Sequence, residues 1–284
     1  MTLTITQFDA PFGAEIRGLD LSAPIADEDF AAVEQAWLDH HVVAIRGQRL
    51  DAAGMVDFSR RFGDLESHML DQYHHPETPL IIVLSNQVED GRSIGLADAG
   101  SFWHSDVSFR ERPSKTTLLY ALEVPAEGGD TLYCDMIAAY DDLDNTMKSR
   151  LDGLMAVHDY GYRDRLQGER GATVVLSQSQ SEATPPVLHP VVRRHPDTGR
   201  KALYVSPGVT ERIEGLQAAE SDELLKAIFE HCLQDKYRLV YKWRAGDLVA
   251  WDNAAVMHAA TTDTLDPAKG RTLWRTIVSG GPTH

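Results

Sequence analysis

The sequence predicts a mainly β protein with flanking helices, a β-sandwich or jelly roll rather than a regular β-α-β alternation. Two observations carry this expectation. Short β-branched runs punctuated by glycine and turn residues recur along most of the chain. Helical periodicity is confined mainly to the first sixty or so residues, the middle near 150 and the region near 225. With 284 residues, 43% of them hydrophobic, and no repeat, one domain over 1–284 is expected.

After the segment AEIRGLDL, Asp27 is placed to cap a helix whose apolar residues Phe30, Val33, Trp37 and Leu38 fall at i, i+3, i+7 and i+8. Residues 42–47 (VVAIRG) form a β-branched run ending in glycine and read as a buried strand. A second helix follows Asp51, with Met55, Phe58 and Phe62 on one face and Gly63 as its stop. Strand-like runs cover 80–85, 116–124 and 130–136, and Gly128-Gly129 turns the chain between the last two. The pattern then predicts one helix around 141–156. From about 163 to 186 the chain is polar and rich in Gly, Ser and Gln, the composition of an active-site lid or loop. Strands resume at HPVVRRH and KALYVS. A helix over 221–233 carries an apolar stripe at Leu224, Leu225, Ile228 and Cys232. The final strands are YRLVYKW, DLVAWDN and RTLWRTIVSG.

A formal net charge of -16 supplies no basic face for phosphates and argues against a nucleic-acid partner. In such a field, a small anionic substrate needs local cations to draw it in. No window approaches the apolar length of a membrane span, and the N-terminal residues lack a signal-peptide pattern. Cys134 and Cys232 lack metal-knuckle spacing and read as free buried thiols of a reducing compartment. The expectation is a soluble cytoplasmic protein, a homo-oligomer (dimer or tetramer), with no nucleic acid and no membrane among its partners.

In SFWHSDVSF, His104 and Asp106 are two apart and would share one face of a strand. Alone, the pair reads as readily as a hydrogen-bonded couple at a strand end. His258, in WDNAAVMHAA, completes a two-histidine, one-carboxylate set, the facial arrangement that leaves three positions open on iron(II). A 2-oxo acid such as 2-oxoglutarate chelates through two of them and O2 takes the third. Downstream, Arg271 and Arg275 are four apart and share a strand face, each able to hold a carboxylate or sulfonate. Two solvated arginines at a sheet edge are the alternative.

The blocks GSFWHSDVSF, P-x-E-G-G-D-T-L, W-D-N-x(4)-H and R-x(3)-R, in this order, resemble the TauD/TfdA family of taurine and 2,4-dichlorophenoxyacetate dioxygenases. HPVVRRHPDTGRKALYVS is similar to a further block of that family, and the likeness runs nearly the whole chain. The resemblance implies a double-stranded β-helix (jelly-roll, cupin-like) core and an Fe(II)- and 2-oxoglutarate-dependent dioxygenase. It implies His104, Asp106 and His258 as iron ligands and catalytic residues. It implies Thr131 and Arg271 as the partners of 2-oxoglutarate, and Arg275, His68 and the backbone of Val107 as contacts of a small anionic substrate. Aryloxyalkanoates, sulfonates and sulfate esters are the implied substrate classes, with succinate and CO2 released.

Three positions depart from the family pattern. Gly100 and Asp71 stand where taurine enzymes carry Asn and Tyr, against taurine as substrate, whereas His68 is retained. Ala254 stands where family members commonly carry Arg after WDN. Three competing readings are taurine dioxygenase proper, a non-catalytic iron-binding jelly-roll sensor and a zinc hydrolase on the same ligands. A carboxylate clamp at Thr131 and Arg271 discriminates against the sensor, and the absence of a neighbouring general base against the hydrolase.

Overall fold

The structure is a computed structural model and describes residues 2–97, 100–162, 165, 184–266 and 268–284. Apart from residue 165 and residues 184–186, the expected lid lies outside the described residues. Many of the strand-like runs assemble into one nine-stranded sheet. Its order is Thr4–Gln7, Ala14–Arg17, Val42–Ile45, Leu248–Asp252, Thr116–Glu123, Thr272–Val278, Thr78–Ser85 and His74–His75. Leu65–Glu66 adds beside Thr272–Val278.

The central strands are apolar on both faces because both faces are covered. Val42, Ala44, Leu119, Val249 and Trp251 join one core, shared with the smaller sheets. Val43, Ile45, Leu118, Tyr120 and Leu248 join a second core, capped by the helices Asp27–His40 and Ala52–Arg60. Each large apolar side chain so placed contributes roughly 1.5–3 kcal/mol on burial.

Opposite the large sheet lie two three-stranded sheets. One is Arg238–Tyr241, Thr131–Asp135, Val256–Ala260, and the other Val187–Pro190, Met155–His158, Thr210–Ile213. The sheets stay separate rather than closing a barrel, and the layered core is a jelly roll with flanking helices, as expected.

Local sequence explains most boundaries. Asp51 caps the second helix by accepting from Gly54 N at 2.8 Å. Asp27 is instead the first helical residue, after an Ala26 N-cap, and adds charge to the first turn with Glu28 and Asp29. The single helix expected over 141–156 is corrected to two, Met136–Asp141 and Asn145–Leu151, followed by the strand Met155–His158. Asp135 and Asp144 each cap a new helix start, and Gly153 at φ 76 turns the chain into the strand. The later helix spans Ala218–Cys232 with Leu224, Leu225, Ile228 and Cys232 buried. Cys134 and Cys232 are free and buried, and the Cys134 thiol donates to Cys232 O at 2.7 Å. Among the described residues no helix is long and apolar enough to cross a membrane.

Candidate active site

His258 lies on Val256–Ala260, and His104 is joined to it by reciprocal backbone hydrogen bonds of 2.9 and 2.7 Å. This bridge brings the two imidazole centroids to 4.3 Å. The chain turns directly after His104, so Asp106 reaches the pair from a turn, not from the shared strand face that its spacing suggested. The three nonetheless converge. Asp106 Oδ1 is 3.6 Å from His104 Nε2 and Oδ2 is 3.6 Å from His258 Nε2, with all three ligand atoms within 4.8 Å of one another. One divalent ion spans such a set, and two nitrogens with one carboxylate suit iron(II).

The surroundings act on each of the three side chains. His104 Nδ1 donates to Phe102 O at 2.7 Å, which orients the ring with Nε2 toward Asp106. Burial, aided by His104, holds the His258 imidazole at about 3, so it is neutral near pH 7. Burial alone would raise the Asp106 carboxyl. Facing His258, His104 and Arg275 outweigh it and hold the group below the usual carboxylate range.

Asn253 orients the carboxylate. It accepts from Asp106 N at 3.1 Å, and its amide donates to Thr117 Oγ1 at 3.0 Å. Thr117 in turn donates to Asp106 Oδ2 at 2.7 Å. Behind it, Asp252 accepts from buried His195 Nε2 at 2.5 Å and from Ala254 N at 2.8 Å, which fixes the turn that carries Asn253. Asn253→Ala is expected to weaken Fe(II) or Mn(II) binding by about 10–100-fold while the fold persists. Titration calorimetry checks this, and unchanged affinity would mean that the carboxylate orients itself.

An open cavity borders His104 and Asp106. His68, Val107 and Arg275, the expected substrate contacts, all line it. Arg275 Nη1 is 3.6 Å from Asp106 Oδ1, and its Nε is buried with no partner. His68 Nδ1 accepts from Leu70 N at 3.1 Å, so a neutral His68 carries its proton on Nε2. Burial, then the Arg275 charge, holds His68 at about 3. It is therefore a hydrogen-bond donor rather than a cation near pH 7. Val107 has φ 58, a rare conformation for a β-branched residue that costs on the order of 1–3 kcal/mol and clusters at ligand sites.

Residues 4–277 match the family described as Taurine catabolism dioxygenase TauD, TfdA family. The chain belongs to that family. It is 36% identical over 282 residues to pentalenolactone F synthase of Streptomyces arenae, covering 95% of this chain and 92% of that one. It is also 36% identical over 259 residues to the alpha-ketoglutarate-dependent 2,4-dichlorophenoxyacetate dioxygenase of Burkholderia sp. (strain RASC), covering 87% and 85%. Among solved structures, AAD-2 in complex with Mn(II) and N-oxalylglycine superposes with a TM-score of 0.82 at 30% identity over the full length of both chains. The chain is thus a 2-oxoglutarate-dependent dioxygenase of the TauD/TfdA type, a family that uses Fe(II), 2-oxoglutarate and O2 on small anionic substrates.

In this TauD/TfdA chain Thr131 and Arg271 are buried and do not line the cavity. Thr131 accepts from Trp243 Nε1 at 3.0 Å, which leaves its own hydroxyl proton to donate. Arg271 commits Nε to Gly129 O at 3.0 Å and offers its terminal nitrogens. Burial lowers it to about 10, still a cation near pH 7. Tyr133, which pairs with His258 across the sheet, has a buried hydroxyl with no partner. The sequence reading missed it, as it missed Asn253 and Thr117. An unpaired buried hydroxyl is visible only once the strands are registered.

The departures also have structural consequences. Gly100 has φ 91, and a Cβ there would run into the His104 imidazole, so the Asn of taurine enzymes does not fit this backbone. Asp71 is exposed in a short 3-10 turn and does not line the cavity. Ala254 borders a separate small internal cavity.

Proposed function

We propose that residues 1–284 form one dioxygenase domain in which His104, Asp106 and His258 hold Fe(II), Arg271 and Thr131 bind 2-oxoglutarate, and Arg275, His68 and Val107 meet the substrate. The observation that carries this reading is the buried, partnerless Arg275 Nε in the same cavity as His104 and Asp106, on which His258 converges. Bound there, iron(II) couples the oxidative decarboxylation of 2-oxoglutarate to hydroxylation of a substrate carbon by O2, with succinate and CO2 released.

The chain's own residues supply position and exclusion of water. The far carboxylate of 2-oxoglutarate accepts from the Arg271 terminal nitrogens and Thr131 Oγ1. The substrate's anionic head accepts from Arg275 and from His68 Nε2. Leu70, Leu96, Phe102, Phe109 and Ile277 give the cavity an apolar wall for the rest of the substrate. That wall favours an apolar or aromatic body, as in an aryloxyalkanoate, over short zwitterionic taurine; sulfonates and sulfate esters share the required head. The same proposal includes a cytoplasmic homo-oligomer that acts without nucleic acid or membrane.

Aryloxyacetates, alkyl sulfonates and alkyl sulfates are expected to stimulate succinate release in the presence of Fe(II), 2-oxoglutarate and O2. The largest stimulation is expected from an aryloxyacetate. If taurine outperforms all three classes, the substrate assignment fails; if none stimulates turnover, the anionic-head reading fails.

A further inference from the structure

The substrate cavity holds a second guanidinium that the proposed roles do not use. Arg110 and Glu66 line it together with His68 and Arg275. The strand Thr272–Val278 relates these side chains. Arg275 and Ile277 are two residues apart on it, so they share one face at a spacing of roughly 7 Å. Ile277 pairs with Glu66 of the neighbouring strand Leu65–Glu66, which puts the Glu66 side chain on that same face. Arg110 Nη1 lies 3.5 Å from Glu66 Oε2. Exposure rises along this line, from 10% for the Arg275 side chain to 34% for Glu66 and 42% for Arg110. Arg275 is thus the inner cation, beside Asp106, and Arg110 the outer one, toward solvent.

The two ends of Arg110 are held differently. Its backbone is fixed, because N donates to Val107 O at 3.0 Å and O accepts from buried His189 Nε2 at 3.0 Å. Its guanidinium faces Glu66 at a distance and exposure where an ion pair contributes little, so an incoming acceptor can replace that carboxylate. The charge is also felt inside the cavity. Burial first, then Arg275, with Arg110 a smaller contribution, hold the His68 imidazole at about 3. The remaining lining is largely apolar, with Leu70, Leu96, Phe109 and Ile277. A chain of net charge -16 disfavours a doubly anionic ligand unless each charge meets a local cation. An inner and an outer guanidinium meet both.

We propose that Arg110 is a specificity residue: it leaves Glu66 to bind a second carboxylate at the outer end of the substrate. Preferred substrates then carry an acidic group at each end of an apolar body. This rests on the reading of Arg275 as the partner of the anionic head.

Titration calorimetry under anaerobic conditions, with Fe(II) and 2-oxoglutarate bound, measures affinity without turnover. Either meta- or para-carboxyphenoxyacetate is expected to bind about tenfold tighter than phenoxyacetate, the size of one charge-assisted hydrogen bond at a half-exposed site. Arg110→Met is expected to bring the ratio of the two affinities to one or below. Glu66→Gln, which removes the competing carboxylate, is expected to raise it. If phenoxyacetate binds and neither dicarboxylate binds more tightly to the unaltered chain, the outer site is overturned while the reading of Arg275 stands. A ratio that survives in Arg110→Met, or fails to rise in Glu66→Gln, would overturn the outer site as well. Absence of binding by all three ligands would instead overturn the anionic-head reading, and the outer site with it.

Discussion

Asp106→Ala is expected to abolish succinate release even in excess Fe(II), and Asp106→Asn to lower metal affinity by more than about 100-fold, beyond the loss from an outer hydrogen bond. Both carboxylate oxygens are in use: Oδ1 faces His104 and Arg275, while Oδ2 faces His258 and accepts from Thr117. Alanine removes the ligand and also leaves the buried Arg275 charge without its nearest carboxylate. Asparagine keeps the shape and the bond from Thr117 but not the negative charge. Metal titration and single-turnover succinate assays read the effect. Measurable turnover in both variants would sink the triad, and an unchanged Tm in Asp106→Asn would exclude unfolding as the cause.

Arg275→Ala is expected to raise KM for the primary substrate by about 10–100-fold with little change for 2-oxoglutarate, and Arg271→Ala to do the reverse. The magnitude is that of one lost charge-assisted hydrogen-bond pair. Arg271 immediately precedes the strand Thr272–Val278 and Arg275 lies within it; Arg275 lines the open cavity, whereas Arg271 is anchored by Gly129 and lies outside its lining. Steady-state kinetics with each substrate varied in turn reads the split. Equal losses for both substrates in both variants would show the two roles to be misassigned.

The layer plan was legible because it rests on local pattern, whereas His104, Asp106 and His258 were singled out by their order and by family resemblance, and the structure brings them together. Doubly apolar runs such as residues 42–45 mark a sheet covered on both faces, and Asp51 marks a helix start by its own chemistry. The helix over 141–156 was misread because Asp144 looks like one more polar surface residue until it is seen capping a new start. The turn that delivers Asp106 was also hidden, since spacing of two is equally the signature of a strand. Strand Val256–Ala260 was read only as a histidine following a strand, because its pairing with Thr131–Asp135 is non-local. Asn253, Thr117 and Tyr133 escaped for the same reason. Their roles depend on partners more than a hundred residues away.

The backbone bridge between His104 and His258 bears on how the apo chain folds. It closes a loop of about 150 residues, so the three side chains converge only once this long-range contact has formed. Metal uptake is therefore expected to follow closure of this loop. The entropy of bringing the two imidazoles together is met by the protein's own ladder before any ion arrives, and the ion's affinity is spent on coordination rather than on closing the chain. In a refolding experiment, recovery of metal binding then reports completion of the jelly roll, not of a local segment.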